Sequence, residues 1–493
     1  MRPHAKLFSL LLLGLATALP TTFAGDEIPA HPDDLAFGEL VFEPPLPKDY
    51  RGTLPGGVVV YLLPDRALPI IDVSFSFSGG AYLDPVGKEG LGSMTGAMMR
   101  RGGTTSVSAE DMDEKFDFLA AQAAAGIGGE SSSAGLNSIT MNFEESFALF
   151  MDMVKNPGFD EARLATLRAE VIEGMKQRND NADGILAREW QNLLYGEDHY
   201  TSRQPTLASI ESITVDDMRA FHAQIFHPGN LVVGVTGDFE IPAMRKTLEQ
   251  IFAGWEAGER PPTPPAPSAT FEPGVYYVEK DIPQGKVSIG MRGLTRDHPD
   301  STTLRVMNLI LGGGGFTSRI TNRVRTQEGL AYSAGSSMSP NYYYPGEFRA
   351  FFQSKSSTCA LASKIIIEEI DKIRNEPVTQ EELDVAKASV IETFPRAFES
   401  KKAVRSLFMA EEWRPHVDGF FENYRDRVRA ITVADIQRVA KEHLDPSNLA
   451  IMMVGKWSDI EPGDQNGRAK MADFGDATEL PLRDPLTLEP IAP

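Results

Sequence analysis

The sequence predicts an α+β fold built twice: two tandem homologous α/β-sandwich domains joined by a proline-rich linker. Three observations carry this expectation. Short β-branched and aromatic runs mix with amphipathic segments without strict alternation, so strands should pair as hairpins with helices on one side. Residues 213–238, ITVDDMRAFHAQIFHPGNLVVGVTGD, align without gaps to residues 431–456, ITVADIQRVAKEHLDPSNLAIMMVGK, with eight identities in 26. Five prolines fall between Gly258 and Ser268. Proline at that density favours extended backbone and reads as a semi-rigid linker.

The elements follow in chain order. Residues 1–24 read as an export signal. Arg2 and Lys6 supply positive charge, Leu7 to Leu19 form an apolar run, and Thr22-Phe23-Ala24 offers small residues for cleavage. The run is too short to span a bilayer comfortably. A periplasmic location and a soluble mature chain are therefore expected. Residues 40–257 should form the first domain. In it, Val58–Leu63 and Ile70–Ser78 read as strands paired through the turn at Pro64-Asp65. Helices are expected at about Gly90–Arg100, Ser108–Ala123, Glu144–Lys155 and Asp160–Asn179, with Ser108 as an N-cap. Residues 258–268 are the linker. In the second domain, 269–457, strands are expected at Val275–Glu279, Lys286–Met291, Ala331–Ser337 and Gly346–Gln353. Thr214 and Thr432 occupy matching N-cap positions before the repeated helix. From Ser458 the chain is rich in Asp, Pro and Gly, and 458–493 reads as an irregular tail.

Composition excludes several functions. The chain has 493 residues and a formal net charge of −21, which repels nucleic-acid backbones. Cys359 is the one cysteine, so neither an internal disulfide nor a thiolate metal cluster can form. No nucleophile elbow, Walker loop or dinucleotide-binding fingerprint occurs. Gly312–Gly315 lacks the Lys-Ser/Thr that a phosphate loop requires. His222 and His227 are five apart, a spacing that turns them away from each other on a helix.

Two longer segments carry a resemblance. Leu54–Thr104, which includes IDVSFSFSGGAYLDPVGKEGLGSMTGAMMRRGGT, resembles the opening of peptidase family M16, the group of insulinase, pitrilysin and the mitochondrial processing peptidase. Leu311–Ser337, LGGGGFTSRITNRVRTQEGLAYSAGSS, resembles that family's second-domain signature. The resemblance extends over residues 40–456 and implies a fold of the M16/LuxS-like metallohydrolase type.

The match fails where zinc would bind. Active members carry H-x-x-E-H, two zinc ligands and a general base, on the helix after the G-L segment. Here those places hold Ser93, Gly96 and Ala97. The family's third ligand is a glutamate in the region of Glu170 and Glu173, which read as solvated helix residues. No metal is expected on this chain. The second domain keeps its part. Arg325 and Tyr332, seven residues apart, match an Arg/Tyr pair that in the family faces the zinc across a closed chamber. A guanidinium and a phenol can hold a substrate carbonyl and stabilise its oxyanion. The resemblance thus implies a non-catalytic subunit of a zinc metallopeptidase. A second M16 chain with an intact H-x-x-E-H would supply the zinc, and this chain would contribute Arg325 and Tyr332 in trans toward peptide substrates. The alternative is an M16-derived scaffold protein without a proteolytic role.

Overall fold

The computed structural model describes residues 31, 35 and 41–491; the expected export segment lies outside them. From Glu43 onward the chain forms one compact unit containing two six-stranded mixed sheets.

The first sheet uses β1 (Arg51–Thr53), β2 (Val59–Pro64), β3 (Ile70–Ser78), β4 (Gln122–Ile127), β5 (Ser131–Ile139) and β6 (Val232–Gly237), in the order β1-β2-β6-β3-β5-β4. The second uses β7 (Gly274–Glu279), β8 (Gln284–Arg292), β9 (Ala331–Ser339), β10 (Glu347–Lys355), β11 (Ala450–Gly455) and β12 (Ala477–Glu479), in the order β12-β7-β11-β8-β10-β9. Five strands follow the same order in both sheets; the sixth differs, β1 pairing antiparallel with β2 and β12 parallel with β7. In each, the late strand (β6 or β11) runs parallel to one early strand and antiparallel to the next. Strands β6 and β11 begin 218 residues apart, the offset of the sequence repeat.

Four expectations change. β2 and β3 are not a hairpin, because β6 lies between them and pairs with both. All six β6 residues are buried, so that strand needs a neighbour on each side. The helix expected to reach Ala123 stops at Phe118, followed by Ala120 at φ 49° and by strand β4. Strands β4 and β5 were not expected at all. Their Ala-, Gly- and Ser-rich sequences, QAAAGI and SSSAGLNSI, lack the bulky residues that mark strands. The tail is also not wholly irregular: β12 adds to the edge of the second sheet, parallel to β7.

In the first half the helices are α1 (Leu91–Arg101), α2 (Ala109–Phe118), α3 (Phe143–Lys155), α4 (Glu161–Lys176), α5 (Ala182–Tyr195), α6 (Leu207–Ser212), α7 (Val215–Ile225) and α8 (Ile241–Phe252). In the second half they are α9 (Ser301–Asn308), α10 (Arg319–Thr321), α11 (Cys359–Asn375), α12 (Gln380–Thr393), α13 (Lys401–Trp413), α14 (Tyr424–Ala430), α15 (Val433–His443) and α16 (Trp457–Ile460). Helix α9 runs on into a π-helical turn, Leu309–Gly313, and α10 into another, Asn322–Gln327. The repeated helices α7 and α15 are capped alike. The Thr214 and Thr432 hydroxyls each accept from the amide three residues on, and Asp217 and Asp435 return the bond. Ser108 caps α2 as the sequence implies, accepting from the Asp111 amide at 3.1 Å.

The halves are locked by exchanged helices. Helix α5 of the first half packs on β8 and β11 of the second sheet, while α13 of the second half packs on β2, β3 and β6 of the first. Around α5, Ile185, Trp190 and Leu194 bury with Val278, Met452 and Val454. Around α13, Val404, Phe408 and Met409 bury with Tyr61, Leu63 and Val232. A polar clamp joins the same halves. Glu130, in the β4–β5 turn, accepts from the Tyr200 hydroxyl (2.6 Å) and the Asn341 amide (3.0 Å) and pairs with Arg414 at 3.3 Å. Residues 258–268 contain no helix or strand. They are tied to the first half by the Tyr82 hydroxyl, which donates to the Pro262 carbonyl, and by a 3.1 Å contact of the His199 ring with the Pro265 carbonyl.

Candidate functional site

Helix α1 starts on Gly90, whose φ of 100° suits glycine. Gly90 has no side chain to cap the helix, and Asp84 caps it from outside. The Asp84 carboxylate accepts the Gly90 amide at 2.9 Å and the Gly92 amide at 2.8 Å. Burial pushes Asp84 up to about 6, against the pull of those two amides and Arg203.

The helix carries the three positions where zinc chemistry would sit. Ser93 is exposed and turns its hydroxyl back to the Gly90 carbonyl at 3.0 Å. Gly96 is buried, and Ala97 is half-buried against the core. The decisive geometry is at Gly96. A β-carbon there would meet the Ile127 amide nitrogen at 2.6 Å and the Gly126 Cα at 2.9 Å, both on β4. The small residues of β4 let α1 lie directly on the strand backbone, and this closes the space a glutamate would need. The same device recurs in the second half. A β-carbon on Gly312 would meet the Ser336 amide nitrogen on β9 at 2.6 Å.

Glu170 and Glu173 are exposed on α4 and already paired. Glu170 bonds Arg101 at 2.6 Å and Glu173 bonds Lys176 at 2.9 Å. Arg100 pairs with Asp113, so both arginines in the last turn of α1 hold neighbouring carboxylates. The residues present do not fit a zinc ion. Serine, glycine and alanine replace both imidazoles and the base, and the two glutamates are engaged elsewhere.

The second half gathers its candidates. Arg325 lies in the π-helical turn 322–327 and Tyr332 on the edge strand β9. Gly329, at φ 64°, makes the turn between them. The Arg325 guanidinium carbon is 4.6 Å from the Tyr332 ring centroid and 4.4 Å from that of Phe316. Both rings are exposed, Tyr332 at 83% and Phe316 at 68%. Among the described residues, Arg325 and the Tyr332 hydroxyl have no hydrogen-bond or ion-pair partner. The guanidinium is thus held flat by two aromatic faces while its N–H donors stay available. Phe316 was missed from sequence; its signal was its place just after the glycine run, which reads as a loop.

Known proteins resemble this chain as follows. Residues 212–390 match the family described as Peptidase M16 inactive domain. The non-peptidase homolog YmxG of Helicobacter pylori is 24% identical over 402 residues, 79% of this chain and 90% of that protein. An uncharacterized zinc protease of Rickettsia bellii is 24% identical over 319 residues, 63% of this chain and 74% of that protein. The crystal structure of a peptidase M16 inactive domain from Pseudomonas fluorescens superposes with a TM-score of 0.73 at 24% identity, covering 82% of this chain and 97% of that one.

Proposed function

This chain is a relative of the M16 peptidases that lacks their zinc-binding motif, and from that premise we propose that it is a non-catalytic subunit of a periplasmic zinc metallopeptidase. Its partner is a second M16 chain bearing H-x-x-E-H, which holds the zinc and the general base. This chain contributes Arg325 and Tyr332, which bind the peptide carbonyl and stabilise the oxyanion as it forms.

One observation carries the reading. Strand β4 crowds α1 at Gly96, while Arg325 stacks on the exposed Tyr332 ring and neither has a hydrogen-bond or ion-pair partner among the described residues. Arg319, by contrast, ends on the Glu382 carboxylate at 2.6 Å. The test is co-purification of the tagged, natively exported chain. Recovery of an H-x-x-E-H-bearing M16 chain in about equal amount supports the reading. Recovery of this chain alone, or as a homodimer, overturns it.

The exposure of Phe316 and Tyr332 favours a second reading. Exposed aromatics also suit a protein interface, as in an M16-derived scaffold without a proteolytic role. On that reading both rings are buried against a partner and no peptide turnover depends on them.

A further inference from the structure

The second half contains a cavity of about 510 Å³ that shares no lining residue with the Arg325 stack. Helices α9, α12 and α14, the segments between α12 and α14, Arg296 and the end of β9 with Pro340 line it on one side, and it opens to the surface. Its floor is aromatic. Phe394, Phe420 and Tyr424 line it, with ring centroids 5.2 Å apart for Phe394–Tyr424 and 5.5 Å for Phe420–Tyr424. Its rim carries Arg296, Arg305 and His416, and no acidic residue lines it. That bias runs against the composition of the whole chain, which has 69 acidic and 48 basic residues.

The three rim groups are not equivalent. Arg296 donates to the Asp297 carboxylate and to the carbonyls of Arg414 and Pro415. The His416 ring is taken by Glu411 at 2.7 Å. Arg305 has one hydrogen bond, to the Tyr424 hydroxyl at 3.1 Å, and no carboxylate partner among the described residues. Arg427, which lies over the Phe420 ring at 4.3 Å, donates to the Phe420 carbonyl and has no carboxylate partner among the described residues. Arg305 thus lines an apolar floor with no carboxylate partner among the described residues. The volume falls in the range of small-ligand sites, which combine apolar walls with a few orienting polar groups.

We propose that this cavity binds a ligand made of an apolar or aromatic body bearing one terminal carboxylate. The body lies on the Phe394, Phe420 and Tyr424 rings, and the carboxylate is received by Arg305 in a charge-assisted, two-pronged contact. A fatty acid and the free C-terminal residue of a peptide both present this chemistry.

Isothermal titration of the full mature chain tests the proposal with two probes, decanoate and acetyl-Ala-Ala-Phe with a free C-terminus. One of them binds at 1:1 stoichiometry, and which one does so identifies the source. The matched controls, decyltrimethylammonium and the peptide amide, bind at least about tenfold more weakly. Arg305→Ala weakens the binding probe by about tenfold or more, while Arg305→Lys retains part of the affinity. Ala397→Trp, on an exposed lining position, blocks the cavity without touching the core and also removes binding. No binding of either probe at roughly 1 mM, equal binding of the cationic control, or an unchanged affinity in Arg305→Ala each overturns the proposal.

Discussion

A β-carbon on Gly96 would sit 2.6 Å from the backbone nitrogen of Ile127, so helix α1 and strand β4 are in backbone contact at the position where M16 peptidases carry their general base. The difference from the H-x-x-E-H motif at Ser93, Gly96 and Ala97 is therefore accompanied by close packing of α1 on β4. Strand β4 lies against α1 at Gly96, and its small residues make that approach possible.

This contact predicts that the motif cannot be written back. Ser93→His, Gly96→Glu and Ala97→His together yield a chain that retains no stoichiometric zinc after dialysis, measured by metal analysis. Gly96→Ala alone lowers the unfolding free energy by about 1–3 kcal/mol, the usual cost of overpacking where neighbours are fixed backbone. A stable Gly96→Ala chain with an unchanged melting temperature would mean that α1 and β4 part easily.

The exchanged helices predict shared stability. Trp190, fully buried in the second half's sheet contact, also donates its indole N–H to Glu347 at 2.6 Å. Phe408 is its counterpart against Tyr61, with ring centroids 5.8 Å apart. Trp190→Ala and Phe408→Ala should each cost about 3–5 kcal/mol. Each should also lower a single calorimetric transition. Two separated transitions in either variant would show that the halves hold their structure independently.

Asp84 gives a pH signature. Its folded value, about 6, lies above the ordinary carboxylate value of 3.8, so the native state binds the proton more tightly than the unfolded chain. Stability from this group is present below about pH 4 and is lost as pH rises through about 6. Asp84→Asn cannot ionise. Its stability relative to the unmodified chain should therefore rise between pH 4 and pH 7 in denaturant titrations. A difference constant across that range would place the carboxyl at an ordinary value.

Much of this architecture was legible in the sequence, and the misses have physical causes. The β3 boundaries, Ile70–Ser78, follow from alternating burial along a β-branched and aromatic run. The caps at Ser108, Thr214 and Thr432 follow from hydroxyls set three residues before an acidic residue. Strand β4 was invisible because it packs closely under α1, which favours the smallest side chains and so erases strand propensity, and β5 because its Ser- and Gly-rich sequence carries little of it. The place of β6 between β2 and β3 depends on pairing across more than 150 residues of chain, which no local pattern encodes. At the site, Arg325 and Tyr332 were readable through a family motif. Phe316 was not, because only the folded loop brings its ring over the guanidinium.

The most direct test of the central claim is the kcat/KM of the co-purified complex on an unstructured peptide, compared with complexes carrying Arg325→Ala or Tyr332→Phe. Donors that act on the developing oxyanion should cost on the order of 10²–10³-fold each, with zinc content and subunit stoichiometry unchanged. An unchanged kcat/KM in both variants would contradict the account and leave the pair as part of a scaffold surface.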